Sequence, residues 1–178
     1  FSADDDEKEE AEEPVTPKPF IPKEGLKQFD VDPLMETVGM IHATKPILGS
    51  AMLEMANNLK KLGLPIRVYV RRADNKRWYA PSNEGMYTEM AVVLLLANRL
   101  MVIDEMDASR FAMGIQQVGI ALEADSESQS TLSIMERAKT LHENVKRLDV
   151  QLSVVLAARS AVKSTAVNEA ARLAGFTQ

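Results

Sequence analysis

Apolar residues recur along this chain in two rhythms, one of two residues and one of three to four, and the switches between them predict the elements. From Met35 to Thr44 the pattern suits a strand, with Val38, Met40, Ile41 and His42 near its middle. Pro46 and Gly49 interrupt it. Leu48, Met52, Met55, Leu59 and Leu62 then follow at three- and four-residue steps, one apolar helix face, and Gly63 before Pro65 stops that helix. Ile66, Val68 and Val70 alternate with Arg67, Tyr69 and Arg71, so a half-buried strand turns its aliphatic side to a core and its arginines and tyrosine outward. Asp74-Asn75 is a turn, Trp78-Tyr79 a further strand or its stub, and Pro81 to Gly85 a loop.

The second half starts with Met90 to Leu100, apolar enough for a central strand. Asp104 to Arg110 reads as a charged connection, and Ile115 to Ala124 as another strand with Gly119 inside it. Ser126 or Ser128 is placed to cap a helix whose buried stripe is Ile134, Ala138, Leu141, Val145 and Leu148. Leu152, Val154 and Leu156 alternate as a final strand, and a short helix from about Thr165 to Ala174 ends at Gly175. The order β-α-β-(β)-β-β-α-β-α predicts an α+β fold of split β-α-β type. Its antiparallel sheet carries helices on one face and leaves the other open for binding.

Residues 1–33 break both rhythms. Eight acids fall in residues 1–13 against Lys8, followed by Pro14, Pro17, Pro19, Pro22 and Pro33 among lysines. Such a segment buries too little apolar surface to offset its ordering entropy and is expected to be a disordered, semi-rigid linker. The predicted division is therefore 1–33 linker and 34–178 globular domain. The chain's formal net charge is −5 and the acidic block holds −7, so the remainder is +2 and close to neutral. Hydrophobic residues at 46% suffice for a core. The absence of cysteine excludes disulfides, thiolate metal sites and a cysteine nucleophile. No apolar run reaches the roughly 20 residues that span a bilayer, so a membrane anchor is expected only upstream of Phe1.

Candidate chemistry is sparse. His42 and His142 lie in different predicted elements, and no serine sits in a glycine-rich elbow beside either. Asp104, Glu105 and Asp107 cluster, but a calcium or magnesium site needs more oxygen ligands and a glycine-shaped turn. Gly114 and Gly119 fall in a strand pattern rather than before a helix, which argues against a phosphate loop. No enzyme activity, cofactor or metal is expected. Arg71, Arg72, Arg77 and Trp78 form a basic-aromatic cluster, the alternative reading being a sheet-based RNA-binding module. RNA-binding sheets stack bases on aromatics of two central strands, and Met90 to Leu100 has none, so nucleic acid is not the expected partner. The ten methionines suit a surface that moulds around apolar peptides, although most are expected in the core.

The segments IRVYVRR (66–72), LLLANRLMVIDEMD (94–107), GIQQVGIALEAD (114–125) and LSIMERAKTLHENV (132–145) succeed one another as in the C-terminal domain of ZipA, a bacterial cell division family. The resemblance covers about residues 35–174, and Leu96-Ala97-Asn98 is its closest point. It implies an α+β domain on the cytoplasmic face of the bacterial inner membrane, joined by a charged, proline-rich linker to a membrane helix. The implied function is non-enzymatic: binding the C-terminal peptide of FtsZ, and so tethering division filaments to the membrane. Matched by motif, the implied groove residues are Ile41, Ile66, Val68, Ala97, Arg99 and Val118. Strand alternation places Ile66 and Val68 on the opposite, helix-facing side, so the two expectations differ on which face binds.

Overall fold

The computed structural model describes residues 21–98 and 100–147. Strand β1 (Glu36–Leu48) alternates strictly at its start: Thr37, Gly39 and Ile41 are buried on one side while Val38 and Met40 face the other. Helix α1 (Gly49–Lys60) buries Met52, Ala56 and Leu59, with Met55 and Leu62 packed at its margin. Gly63, at φ 69, ends the turn that follows in the left-handed conformation that favours glycine. Strand β2 (Ile66–Arg72) turns through Asp74 to Lys76 into the two-residue β3 (Trp78–Tyr79), and β4 (Met86–Leu95) follows the 81–85 loop. Helix α2 (Glu105–Ala121), the short β5 (Asp125–Glu127) and helix α3 (Thr131–Arg147) complete the described elements.

The sheet is antiparallel throughout, in the order β3-β2-β4-β1-β5. Strands β1 and β2 both run against β4, which lies between them. The fold class is α+β, as the periodicity predicts. All three helices contribute to one core, where Ile41, Ile66, Val68, Val70, Met90, Val92 and Leu94 of the sheet meet Met52, Leu59, Phe111, Ile115, Val118, Ile134 and Ala138. Each such side chain contributes roughly 1.5–3 kcal/mol when fully buried, so this helix-covered face is the main source of stability.

Several expectations are corrected. Residues 105–121 form one helix, not a charged connection followed by a strand. The Asp104 carboxylate accepts from the Asp107 N–H at 2.8 Å while Asp107 accepts from the Asp104 N–H at 3.5 Å. This reciprocal capping box satisfies two amide donors that a helix start leaves unpaired. Gly114 and Gly119 sit where α2 comes closest to its neighbours. A Cβ on Gly114 would lie 2.9 Å from the Leu62 side chain, and one on Gly119 would lie 2.8 Å from Ser126. The central strand is Met86–Leu95 rather than 90–100, because Asn98 Oδ1 accepts from the N–H groups of Leu100 and Met101 and turns the chain. Helix α3 is capped by Ser130, whose Oγ accepts from Ser133 N–H at 3.2 Å, while Ser126 belongs to β5. The strand expected at 152–156 and the helix at 165–174 lie outside the described residues.

The linker boundary also moves. Residues 21–33, expected to belong to a disordered leader, pack on the sheet, and Leu26 forms an antiparallel bridge with Trp78. The sheet face away from the helices is therefore covered in part by the chain itself.

Candidate functional site on the sheet face opposite the helices

Paired residues of an antiparallel sheet share a face, so the registers give the layout of this surface directly. One row across the sheet reads Trp78, Arg71, Glu89 and His42. The next reads Tyr69, Ala91 and Met40, and the third Arg67, Val93 and Val38. The middle of the face is thus apolar, with an aromatic end formed by Tyr69 and Trp78 and a softer aliphatic end formed by Met40 and Val38.

Segment 21–33 crosses the aromatic end. Phe29 stacks on Tyr69 with ring centroids 5.3 Å apart and meets Trp78 edge-on at 4.7 Å. Ile21, Leu26 and Val31 pack against the same cluster, leaving Tyr69 1% and Trp78 6% exposed. The Leu26–Trp78 bridge is made by N–H to carbonyl bonds of 2.9 and 2.8 Å in the two directions. It covers the edge of β3, which would otherwise offer unpaired amides and carbonyls.

Most other polar ties from the domain reach main-chain carbonyls of this segment. Tyr79 Oη donates to the Glu24 carbonyl at 2.8 Å, and Arg77 Nη1 to the Gly25 carbonyl at 3.1 Å. Arg67 Nη2 donates to the Asp30 carbonyl at 3.1 Å, and Arg137 Nη2 to the Pro33 carbonyl at 2.7 Å. Arg67 is itself held by the Glu36 carboxylate at 2.9 Å. At Gly25, φ is +75 and a Cβ would overlap the Tyr79 ring, so the backbone passes directly over that phenol. Burial raises the Tyr69 phenol above its ordinary value; Arg67 opposes that shift, and Asp30 and Glu36 add to it.

The chain matches no family model, no curated protein and no solved structure.

Of the six residues expected to line the groove, the five that are described do not gather on this face. Ile41, Ile66, Val68 and Val118 belong to the helix-side core, Ala97 is fully buried where the chain leaves β4, and Arg99 lies outside the described residues. Burial removes the five described residues from any accessible groove, because alternation turns the strand positions among them toward α1, α2 and α3. Of the outward set that alternation does give, Arg67 and Tyr69 touch segment 21–33, the strap across this face, and Arg71 lies against Trp78.

The basic-aromatic cluster is engaged internally. Arg71 bonds the Glu89 carboxylate at 3.1 and 3.2 Å and lies 5.9 Å from the Trp78 ring centroid. Arg72 pairs with Asp74 at 2.9 Å, and Arg77 holds Gly25. Trp78 offers no open ring face on which a base could stack. The Asp104, Glu105 and Asp107 group is the start of α2, and no cluster of three or more potential metal-ligating side chains occurs among the described residues. His42 Nε2 lies 3.4 Å from Glu127 Oε1 at the exposed end of the face. His142 is half-buried on α3. A cleft of about 480 Å³ between α2 and the β5–α3 connection is lined by Ser109, Gln116, Ser126 and Gln129 among others. Ser109 Oγ there contacts Met113 Sδ, and Ser130 Oγ serves as a helix cap.

Phe29 and Arg137 carry no signal in the strand and helix periods, and Arg77 and Trp78 stand out in the sequence only as a nucleic-acid candidate, whereas the structure joins them with Arg67, Tyr69 and Tyr79 in holding segment 21–33. One signal was present: no proline falls between Pro22 and Pro33, and Leu26, Phe29 and Val31 are concentrated in that interval.

Proposed function

We propose that this chain is a non-enzymatic protein-binding module that takes an extended peptide across the sheet face opposite the helices. The peptide is the C-terminal tail of FtsZ, and the module tethers division filaments to the inner membrane through an anchor upstream of the domain. The observation that carries the binding mode is the seating of segment 21–33 on Tyr69 and Trp78, with four of its carbonyls held by side-chain donors. The identity of the partner comes from the order of the ZipA-like segments. No helix among the described residues is long and apolar enough to cross a membrane, so membrane attachment in this reading belongs to another segment.

A few apolar side chains buried at roughly 1.5–3 kcal/mol each, less several kcal/mol for association and ordering, give micromolar affinity. Many tethered copies along one polymer raise the effective affinity. The test is titration of a labelled FtsZ tail peptide into the full chain, beside Met40→Glu, which changes the aliphatic end of the face without entering the helix-side core. Saturable binding weakened by Met40→Glu is expected. No saturable binding by the wild type or by a Phe29→Ala variant removes FtsZ as the partner, and binding indifferent to Met40→Glu moves the site elsewhere. A steep fall of affinity with salt for oligonucleotides would favour the nucleic-acid alternative instead.

A further inference from the structure

We infer that segment Ile21–Pro33 is a built-in ligand of this face, held in cis, which an incoming extended peptide must displace. The inference rests on the peptide-binding reading and adds to it a competitor and a main-chain recognition chemistry.

The helix-side core is complete without the segment. None of its residues belongs to that cluster, whereas Ile21, Leu26, Phe29 and Val31 pack only on the separate cluster of Tyr69, Trp78, Ala91 and Val93. A strap whose removal leaves the main core intact can leave while the domain stays folded. Without it, a patch containing two large aromatic side chains would face water, and such patches on soluble proteins mark interaction sites.

The ties from Tyr79, Arg77, Arg67 and Arg137 reach carbonyl oxygens, which every peptide possesses. A peptide of different sequence can accept the Arg67 and Arg137 donors through its main chain alone, and those of Tyr79 and Arg77 if it repeats the Pro22–Gly25 turn with glycine over the Tyr79 ring. Its side-chain requirement follows from the strap: an aliphatic residue, an aromatic three residues later and a second aliphatic two residues beyond, as in Leu26, Phe29 and Val31. Main-chain bonds supply affinity and such sockets supply selectivity in peptide recognition. Occupation in cis lowers apparent affinity for a peptide in trans by the fraction of molecules whose strap is released.

The first arm of the test uses hydrogen exchange on the wild-type chain. The Leu26 and Trp78 amides bond each other's carbonyls, so both report strap opening, while amides at the centre of β4 report the sheet. The expected result is strap exchange at least about 100-fold faster than sheet exchange, because sub-global opening needs less free energy than global unfolding. Equal rates overturn the inference. The second arm uses Gly25→Ala, which places a methyl on Tyr79 at a backbone conformation that favours glycine. A synthetic peptide of residues 21–33 should bind this variant at least about tenfold more tightly than the wild type, with the emission of Trp78, the chain's one tryptophan, shifting to the blue. Absence of that difference overturns the inference, and so does a variant that fails to fold, since the strap would then be an integral part of the domain. If the strap peptide binds in trans and the FtsZ tail does not, the strap stands and the proposed partner falls.

Discussion

Phe29 and Tyr69 lie with ring planes inclined by 22° and centroids 5.3 Å apart, and this stacked pair joins a segment of linker-like composition to the centre of β2. Aromatic pairs of this kind contribute about 0.5–1.5 kcal/mol beyond simple burial. Phe29→Ala removes the stack and the edge contact with Trp78 together. A loss of about 1–3 kcal/mol in strap anchoring is expected from the half-buried ring and its pairing. The readout is a red shift of Trp78 emission and greater acrylamide quenching, with the cooperative melt of the sheet retained. A variant with unchanged tryptophan emission would mean that Phe29 does not hold the strap.

Helix α2 shows why the sequence was readable in some places and not in others. Gly114, Val118, Gly119 and Ile120 have modest helix preference, and Ile115 to Ala124 alternates enough to resemble a strand. Tertiary packing decides otherwise, because Phe111, Ile115 and Val118 fall on one helical face and the glycines admit Leu62 and Ser126. The usual end signals were disguised too: the capping box uses Asp107 in place of Glu or Gln, and the left-handed residue after the helix is Glu123. By contrast, β2, α3 and the Met52–Leu59 face of α1 carry clean periods and were legible, while β1 runs on through Pro46 to an exposed Leu48 that the helix period had claimed. The outward side of β2 was legible from the alternation of Arg67, Tyr69 and Arg71, whereas motif matching pointed to their inward neighbours. Composition averaged over residues 1–33 concealed the strap, since the acids and prolines of 1–20 outweighed Leu26, Phe29 and Val31.

Glu123 follows from the same helix end. It holds φ 50 just beyond α2, where a side chain costs energy that glycine avoids. Glu123→Gly is expected to stabilise the domain by about 0.5–1 kcal/mol, the relief of strain outweighing the greater freedom of the unfolded chain. Urea denaturation would show a higher midpoint at unchanged slope. A lower midpoint would indicate that the Glu123 side chain makes a contribution larger than its backbone cost.

Tyr69 supplies a pH dependence. Burial raises its phenol above the ordinary value of about 10, with Arg67 opposing and Asp30 and Glu36 adding. The raised value in the folded state means that this contribution to stability is fully present below the unfolded value. It is lost as pH rises through the folded one. Spectrophotometric titration should show a late tyrosinate phase that Tyr69→Phe abolishes. Denaturation at rising alkaline pH should show a smaller stability loss in Tyr69→Phe than in the wild type. A titration in which Tyr69→Phe removes an early phase would reverse the assignment.

Val68 separates the two possible binding faces. It is 7% exposed, pairs with Val92 across the sheet and points into the core beneath the helices. A glutamate there would put an unpaired carboxylate among Ile41, Val92 and the helix side chains, a cost of several kcal/mol unless the group takes up a proton. That is comparable with the total stability of a domain, about 5–15 kcal/mol. Val68→Glu is therefore expected to abolish the cooperative thermal transition, and Ala97→Glu, at a position 0% exposed, to act alike. Met40→Glu lies on the other side of the sheet at a half-buried position and is expected to melt within a few degrees of the wild type. The comparison is read by calorimetry and peptide titration on the same samples. A Val68→Glu protein that melted normally yet lost peptide binding would place the groove on the helix side and refute the face assigned here, because a core residue cannot be both charged and silent in the melt.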